Sequence, residues 1–179
     1  MVDLNRSDYL RMTGNIYSFG LKSIITVLTQ PQIRYMRWWR SYKKQKSIIK
    51  RFILLRYAHR YGLEISREAM IGKGLYLGHP YNITVGRGVI IGDNVNLHKG
   101  CTIGVENRGL RKGAPRIGNC VYVGINAAIV GNVHIGNDVV IAPNSFINFN
   151  VPDHSIVIGN PGKIHHKENA TEGYIAFKV

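Results

Sequence analysis

From Ile65 onward an aliphatic residue returns in a six-residue rhythm: Ile65, Ile71 and Leu77, then Val85, Ile91, Leu97 and Ile103, then Ile117, Val123, Ile129, Ile135, Ile141 and Ile147. A glycine often follows it, as at Gly72, Gly86, Gly92, Gly104, Gly118, Gly124 and Gly136. Asn or Asp often comes two or three places after the aliphatic. Neither the 3.6-residue period of a helix nor the two-residue period of a half-buried strand produces this spacing. A fixed short repeat predicts a solenoid. Each unit supplies a short strand and a turn, and Gly, Asn and Asp provide the turn conformations that bulkier residues resist. Three units close one triangular coil of about eighteen residues, and the run amounts to about five coils. The aliphatic points inward and stacks on its equivalent about 4.8 Å away in the next coil. The core is then a column of Ile, Val and Leu stabilised mainly by nearest-neighbour stacking.

Two breaks interrupt the register. Leu77 to Val85 spans eight residues, and Ile103 to Ile117 spans fourteen. The second break therefore expels a loop from the segment VENRGLRKGAPR. Departures from a regular solenoid are where binding sites concentrate.

Residues 1–62 read differently. Ile48, Ile49, Phe52, Leu55 and Tyr57 form an approximate helical stripe, and Pro31 divides two helices. No Asp or Glu lies between Asp8 and Glu64, while Arg34, Arg37, Arg40, Lys43, Lys44, Lys46, Lys50, Arg51, Arg56 and Arg60 crowd one stretch. The chain of 179 residues carries a net charge of +14. Such a block suits either a solvated helix face or an anionic partner. Trp38 and Trp39 among these cations fit a membrane surface or a subunit contact. No nucleic-acid motif accompanies the charge, so nucleic acid is not expected as a partner. The apolar run Leu21–Thr29 is too short to span a bilayer, which takes about 20 residues. No signal peptide is visible in MVDLNRSDYLRM, so a cytoplasmic protein is expected, at most peripheral on the inner face of the membrane. Two cysteines do not make a disulfide framework; Cys101 occupies a small-residue core slot of the repeat and Cys120 a turn.

The stretches GLYLGHPYNITVG, GDNVNLHKGCTIG, IGNCVYVGINAAIVGNVHIGNDVVIAPNS and VPDHSIVIGNPGKI resemble the serine acetyltransferase-like branch of the hexapeptide-repeat acyltransferases, over roughly residues 60–165. The basic helical leader is similar to that of relatives in capsule and exopolysaccharide biosynthesis. The resemblance implies a left-handed parallel β-helix with a short α-helical N-terminal region, a homotrimer, and acetyl-coenzyme A bound between subunits as co-substrate. The expected organisation is a helical basic region over 1–62, the repeat domain over 63–165 and a tail over 166–179.

His79, in the first break, falls where the family carries its catalytic histidine. A hydroxyl is a poor nucleophile until a base takes its proton, and imidazole titrates near neutral pH. Glu64, fifteen residues earlier, falls where an acid pairs with that histidine and would fix its tautomer. Asn82, Arg108, Arg111 and Lys112 are expected to contact the acceptor or the coenzyme A phosphates. Gly104, Gly124, Ile125, Pro143, Pro161 and Lys163 are the expected cofactor positions. Metal is not expected. The zinc enzymes of the same fold use an H-x4-H pair that this chain lacks, and His98, His134 and His154 read as exposed coil positions.

The serine enzymes carry an Arg-His pair where this chain has Gly113 and Ala114, and an acid where it has Gly78. On that ground the expected acceptor is a saccharide hydroxyl. Serine O-acetyltransfer and a catalytically silent scaffold remain the alternatives.

Overall fold

The computed structural model describes residues 3–179. Four helices precede the solenoid: α1 (Leu4–Thr13), α2 (Leu21–Thr29), α3 (Pro31–Lys44) and α4 (Ile48–Tyr61). Pro31 opens α3, where its missing N–H costs nothing. The Ile48, Ile49, Phe52 and Leu55 stripe of α4 faces outward, while Leu54 is the residue of that helix buried against the solenoid. None of the helices among the described residues is long and apolar enough to cross a membrane.

The solenoid has three faces. The first pairs β1 (Leu63–Ile65), β4 (Ile83–Val85), β7 (Thr102–Gly104), β10 (Ala128–Val130) and β13 (Phe146–Ile147). The second pairs β2 (Met70–Ile71), β5 (Ile90–Ile91), β8 (Arg116–Ile117) and β11 (His134–Ile135). The third pairs β3 (Tyr76–Gly78), β6 (Asn96–His98), β9 (Val121–Val123), β12 (Val139–Ile141), β14 (Ser155–Ile158) and β15 (Lys163–His166). Strands within a face are parallel, except that β15 folds back antiparallel on β14. Every aliphatic of the six-residue register is buried, none above 9% exposure. Cys101 is buried in the same column, and burial pushes its thiol up to about 12. The register continues two steps beyond Ile147, because Val151 bridges to Ile135 and Val157 pairs with Ile141. These last steps are sixteen residues instead of eighteen, so the final coil is tighter.

A buried ion pair fixes the helices to the first coil. Arg40 donates to both carboxylate oxygens of Asp8, at 3.0 and 3.2 Å, and also to the carbonyls of Ile71 and Gly72, each at 2.6 Å. Asp8 in turn accepts from the Leu75 amide at 2.9 Å. Trp39 is likewise buried, with its indole N–H directed at the Ser66 carbonyl. Two members of the basic, aromatic stretch are therefore turned inward, which the charge pattern alone does not show.

After β15 the chain runs back along the solenoid toward α1. Asp138 anchors the start of this tail by accepting from the Ala170 and Thr171 amides, the Thr171 hydroxyl and His154. Burial would raise the Asp138 carboxyl, but these donors outweigh it and bring it down to about 2. Further along, Asn96 donates to the Tyr174 carbonyl, Arg11 donates to that of Ala176, and Asn94 exchanges two hydrogen bonds with Val179. The tail thus spans the coils between Asp138 and the N-terminal helix.

Candidate active site

His79 stands where β3 ends and the chain turns the corner toward β4. Its backbone is left-handed, with φ of 50°, and its side chain is exposed. Two extra residues in this corner lift the turn out of the regular coil. The turn is held from both sides. The Asn82 amide donates to the Tyr61 carbonyl at the end of α4 at 2.8 Å, and the Gly100 amide of the next coil donates to the Tyr81 carbonyl at 2.9 Å. Asn82 also lies against Gly62, where φ is +64° and an added Cβ would meet the Asn82 backbone at 3.0 Å. Glycine there lets the helix end and the His79 turn approach. The imidazole itself makes no hydrogen bond among the described residues and projects from a braced backbone.

The same edge of the prism continues through the corners after β6, β9, β12 and β14. The Asn126 amide donates to the Lys99 carbonyl at 3.1 Å, and the Asn144 amide to the Ile125 carbonyl at 2.9 Å. Gly124, Ile125, Pro143 and Pro161 therefore lie on the edge that His79 begins, and Lys163 opens β15 just beyond it. Gly104 lies elsewhere, at the far end of β7.

Other expected residues are placed apart. Glu64 is exposed on β1, opposite Thr84, and lines a groove of about 550 Å³ between α4 and the first face. That groove also includes Arg51, His59 and Arg67, but not His79. No hydrogen bond joins Glu64 to His79 among the described residues. The expelled loop leaves from the edge between the first and second faces, whereas His79 lies between the third and first. Its base is closed by two backbone hydrogen bonds between Glu106 and Gly113, at 3.0 and 2.9 Å. Arg111 pairs with Glu106 at 3.7 Å, and Arg108 and Lys112 are exposed. Within one chain the loop cations and His79 occupy different edges.

His98 differs from its sequence reading as an exposed coil position. It is half-buried, with its ring centroid 4.6 Å from that of Tyr122 and 5.9 Å from that of Tyr76. Its Nε2 is buried without a partner. It pairs across the ladder with Gly78, the residue before His79. The eight-residue break in the sequence carries this register, since it moves position 98 opposite position 78. His154 is bonded to Asp138, and His134 is exposed. No group of three or more His, Cys, Asp or Glu gathers among the described residues.

Residues 114–148 match the family model described as bacterial transferase hexapeptide (six repeats). A serine acetyltransferase of Staphylococcus xylosus is 36% identical over 123 residues, covering 69% of this chain and 57% of that protein. The chain thus spans little more than half the length of this relative. A serine O-acetyltransferase of Brucella melitensis has a solved structure that superposes with a TM-score of 0.76 at 25% identity, covering 92% of this chain and 66% of that one. A serine acetyltransferase of Brucella abortus, solved in complex with coenzyme A, shares the fold at a TM-score of 0.78 and 24% identity, covering 92% of this chain and 67% of that one. The fold is accordingly the left-handed parallel β-helix of these proteins.

These relatives overturn the saccharide acceptor expected from the sequence. That expectation rested on uncharged residues at Gly78, Gly113 and Ala114. The structure places Gly113 and Ala114 at the base of a loop that also carries the exposed cations Arg108, Arg111 and Lys112, so uncharged residues at those two positions do not leave the loop without charge. Matched repeats, sequence relatives and shared fold together place the chain among the hexapeptide-repeat acyltransferases.

Proposed function

We propose that this chain transfers an acetyl group from acetyl-coenzyme A to the hydroxyl of serine, with His79 as general base. The observation that carries the reading is the placement of His79. It is exposed and unbonded on a braced left-handed turn, and it begins the edge along which Ile125, Pro143 and Pro161 follow. The serine Oγ attacks the thioester carbonyl as His79 takes its proton. The tetrahedral oxyanion is stabilised by N–H donors directed at the developing charge. Collapse breaks the C–S bond, and the imidazolium returns the proton to the departing thiolate. The carbonyl and amide groups along the edge suit the amides of the pantetheine arm, and Lys163 suits a phosphate.

A homotrimer fits this reading. His79 and the loop bearing Arg108, Arg111 and Lys112 sit on different edges of one prism, so a neighbouring copy can bring its loop to the base. The test of the acceptor is thiol release from acetyl-coenzyme A by the full chain. Saturable release with L-serine is expected. Release that L-serine does not increase would remove serine as the acceptor.

The outer side of residues 31–60 suggests an anionic membrane surface as a further contact. Ile48, Ile49 and Phe52 are exposed beside Lys46 and Arg51, a composition suited to interfacial binding. The chain is expected to co-sediment with vesicles containing anionic lipid and to leave them at about 0.5 M salt, where charge attraction is screened. Equal sedimentation with neutral and anionic vesicles would rule the charge-dependent contact out.

A further inference from the structure

Gly78 immediately precedes His79 and pairs with His98 across β3 and β6. A Cβ added at Gly78 would come within 2.5 Å of Nδ1 and 2.6 Å of Cε1 of His98. The His98 imidazole therefore occupies the space that a side chain at position 78 would need. Tyr76 and Tyr122 flank that ring, and Tyr174 of the tail packs on Tyr122 with ring centroids 5.0 Å apart. The Lys99 amide, next along the chain, donates to the Gly78 carbonyl at 3.0 Å. His98 and the Lys99 that follows it thus hold the Gly78 carbonyl and fill the space beside its Cα.

Packing alone does not explain a histidine here. The buried Nε2 has no partner, and an orphaned polar atom opposes folding. Leucine would avoid that cost, but it lacks the flat, rigid ring that lies between Tyr76 and Tyr122 against Gly78. The turn that His98 supports carries the exposed imidazole of His79.

We infer that His98 is a positioning residue for His79, its ring standing in for the missing side chain at Gly78 and holding the backbone from which the base projects. This rests on the reading of His79 as the general base. Burial first, and the neighbouring His79 second, push the His98 imidazole below its ordinary value. That direction favours the neutral ring beside His79, so that no second positive charge opposes the imidazolium. A cationic side chain at position 98 would oppose it, and a flexible apolar one would leave the Gly78 peptide less constrained.

The test uses His98→Leu, Gly78→Ala, His98→Ala and the double variant His98→Ala with Gly78→Ala in the full chain. His98→Leu is expected to unfold at or above the temperature of the parent, because the orphaned nitrogen is gone. Its kcat is expected to fall at least about tenfold, as a displaced catalytic group requires, with KM for acetyl-coenzyme A within about twofold of the parent. Gly78→Ala is expected to lose activity through the clash. In the His98→Ala background the same glycine change should cost far less, because the space is free. Parental kcat in His98→Leu, or equal costs of Gly78→Ala in both backgrounds, would overturn the inference. His79→Ala separates the two readings. If it is inactive while His98→Leu is fully active, only the positioning role fails; if it is fully active, the general-base reading itself fails.

Discussion

Replacing His79 by alanine is expected to leave the fold and coenzyme A binding intact and to lower turnover at least about a hundredfold, the usual contribution of a general base. The fold should survive because the imidazole is exposed and unbonded, and the turn is held by backbone groups of Tyr61, Tyr81, Asn82 and Gly100. The left-handed φ of 50° is a complication. Alanine tolerates that region less well than histidine or asparagine, at a cost of about 1–2 kcal/mol. His79→Asn keeps a residue suited to the conformation while removing the base. Both variants should therefore be slow, and the asparagine variant should match the parent in thermal unfolding. Turnover near the parental rate in His79→Asn would remove His79 from the chemistry, and a slow His79→Asn of parental thermal stability cannot be ascribed to backbone strain.

The second large effect concerns stability. Asp8→Ala should destabilise the chain by about 3–5 kcal/mol, the range for removing one partner of a buried ion pair. The side chains of Arg40 and Asp8 are 3% and 4% exposed. Without the carboxylate, the Arg40 guanidinium stays between α3 and the first coil with only the Ile71 and Gly72 carbonyls to satisfy it. The Leu75 amide also loses its acceptor. Pairing Asp8→Ala with Arg40→Met should recover much of the loss, because no buried charge then remains unpaired. Urea unfolding followed by circular dichroism measures both. A single-variant loss below about 1 kcal/mol would show that the pair is not closed off from water, as only exposed ion pairs are worth so little. The helices should loosen before the solenoid, whose coils stabilise one another by stacking.

Arg40 also illustrates how far a charge pattern reaches. In the sequence it is one cation in a run without acids, and the run suggested an outward-facing anionic contact. Its partner Asp8 lies 32 residues away in the chain, and no local pattern joins them. His98 is a parallel case. Its spacing marks it as an outward coil position, but the rings of Tyr76 and Tyr122 and the Gly78 backbone make that position a half-buried one.

The sequence by itself determined the solenoid, its register, both breaks and the place of His79 in the first of them. It could do so because each coil repeats the contacts of the last, so burial follows from a spacing visible within a short stretch of chain. The tertiary structure alone decided which cations were buried and where the tail docked. Those outcomes depend on contacts such as Asn94 with Val179, 85 residues apart, and Arg11 with Ala176, 165 residues apart. Periodicity fixes what faces the core, whereas the partner that a buried charge meets and the place where the tail docks are set only when distant segments pack together.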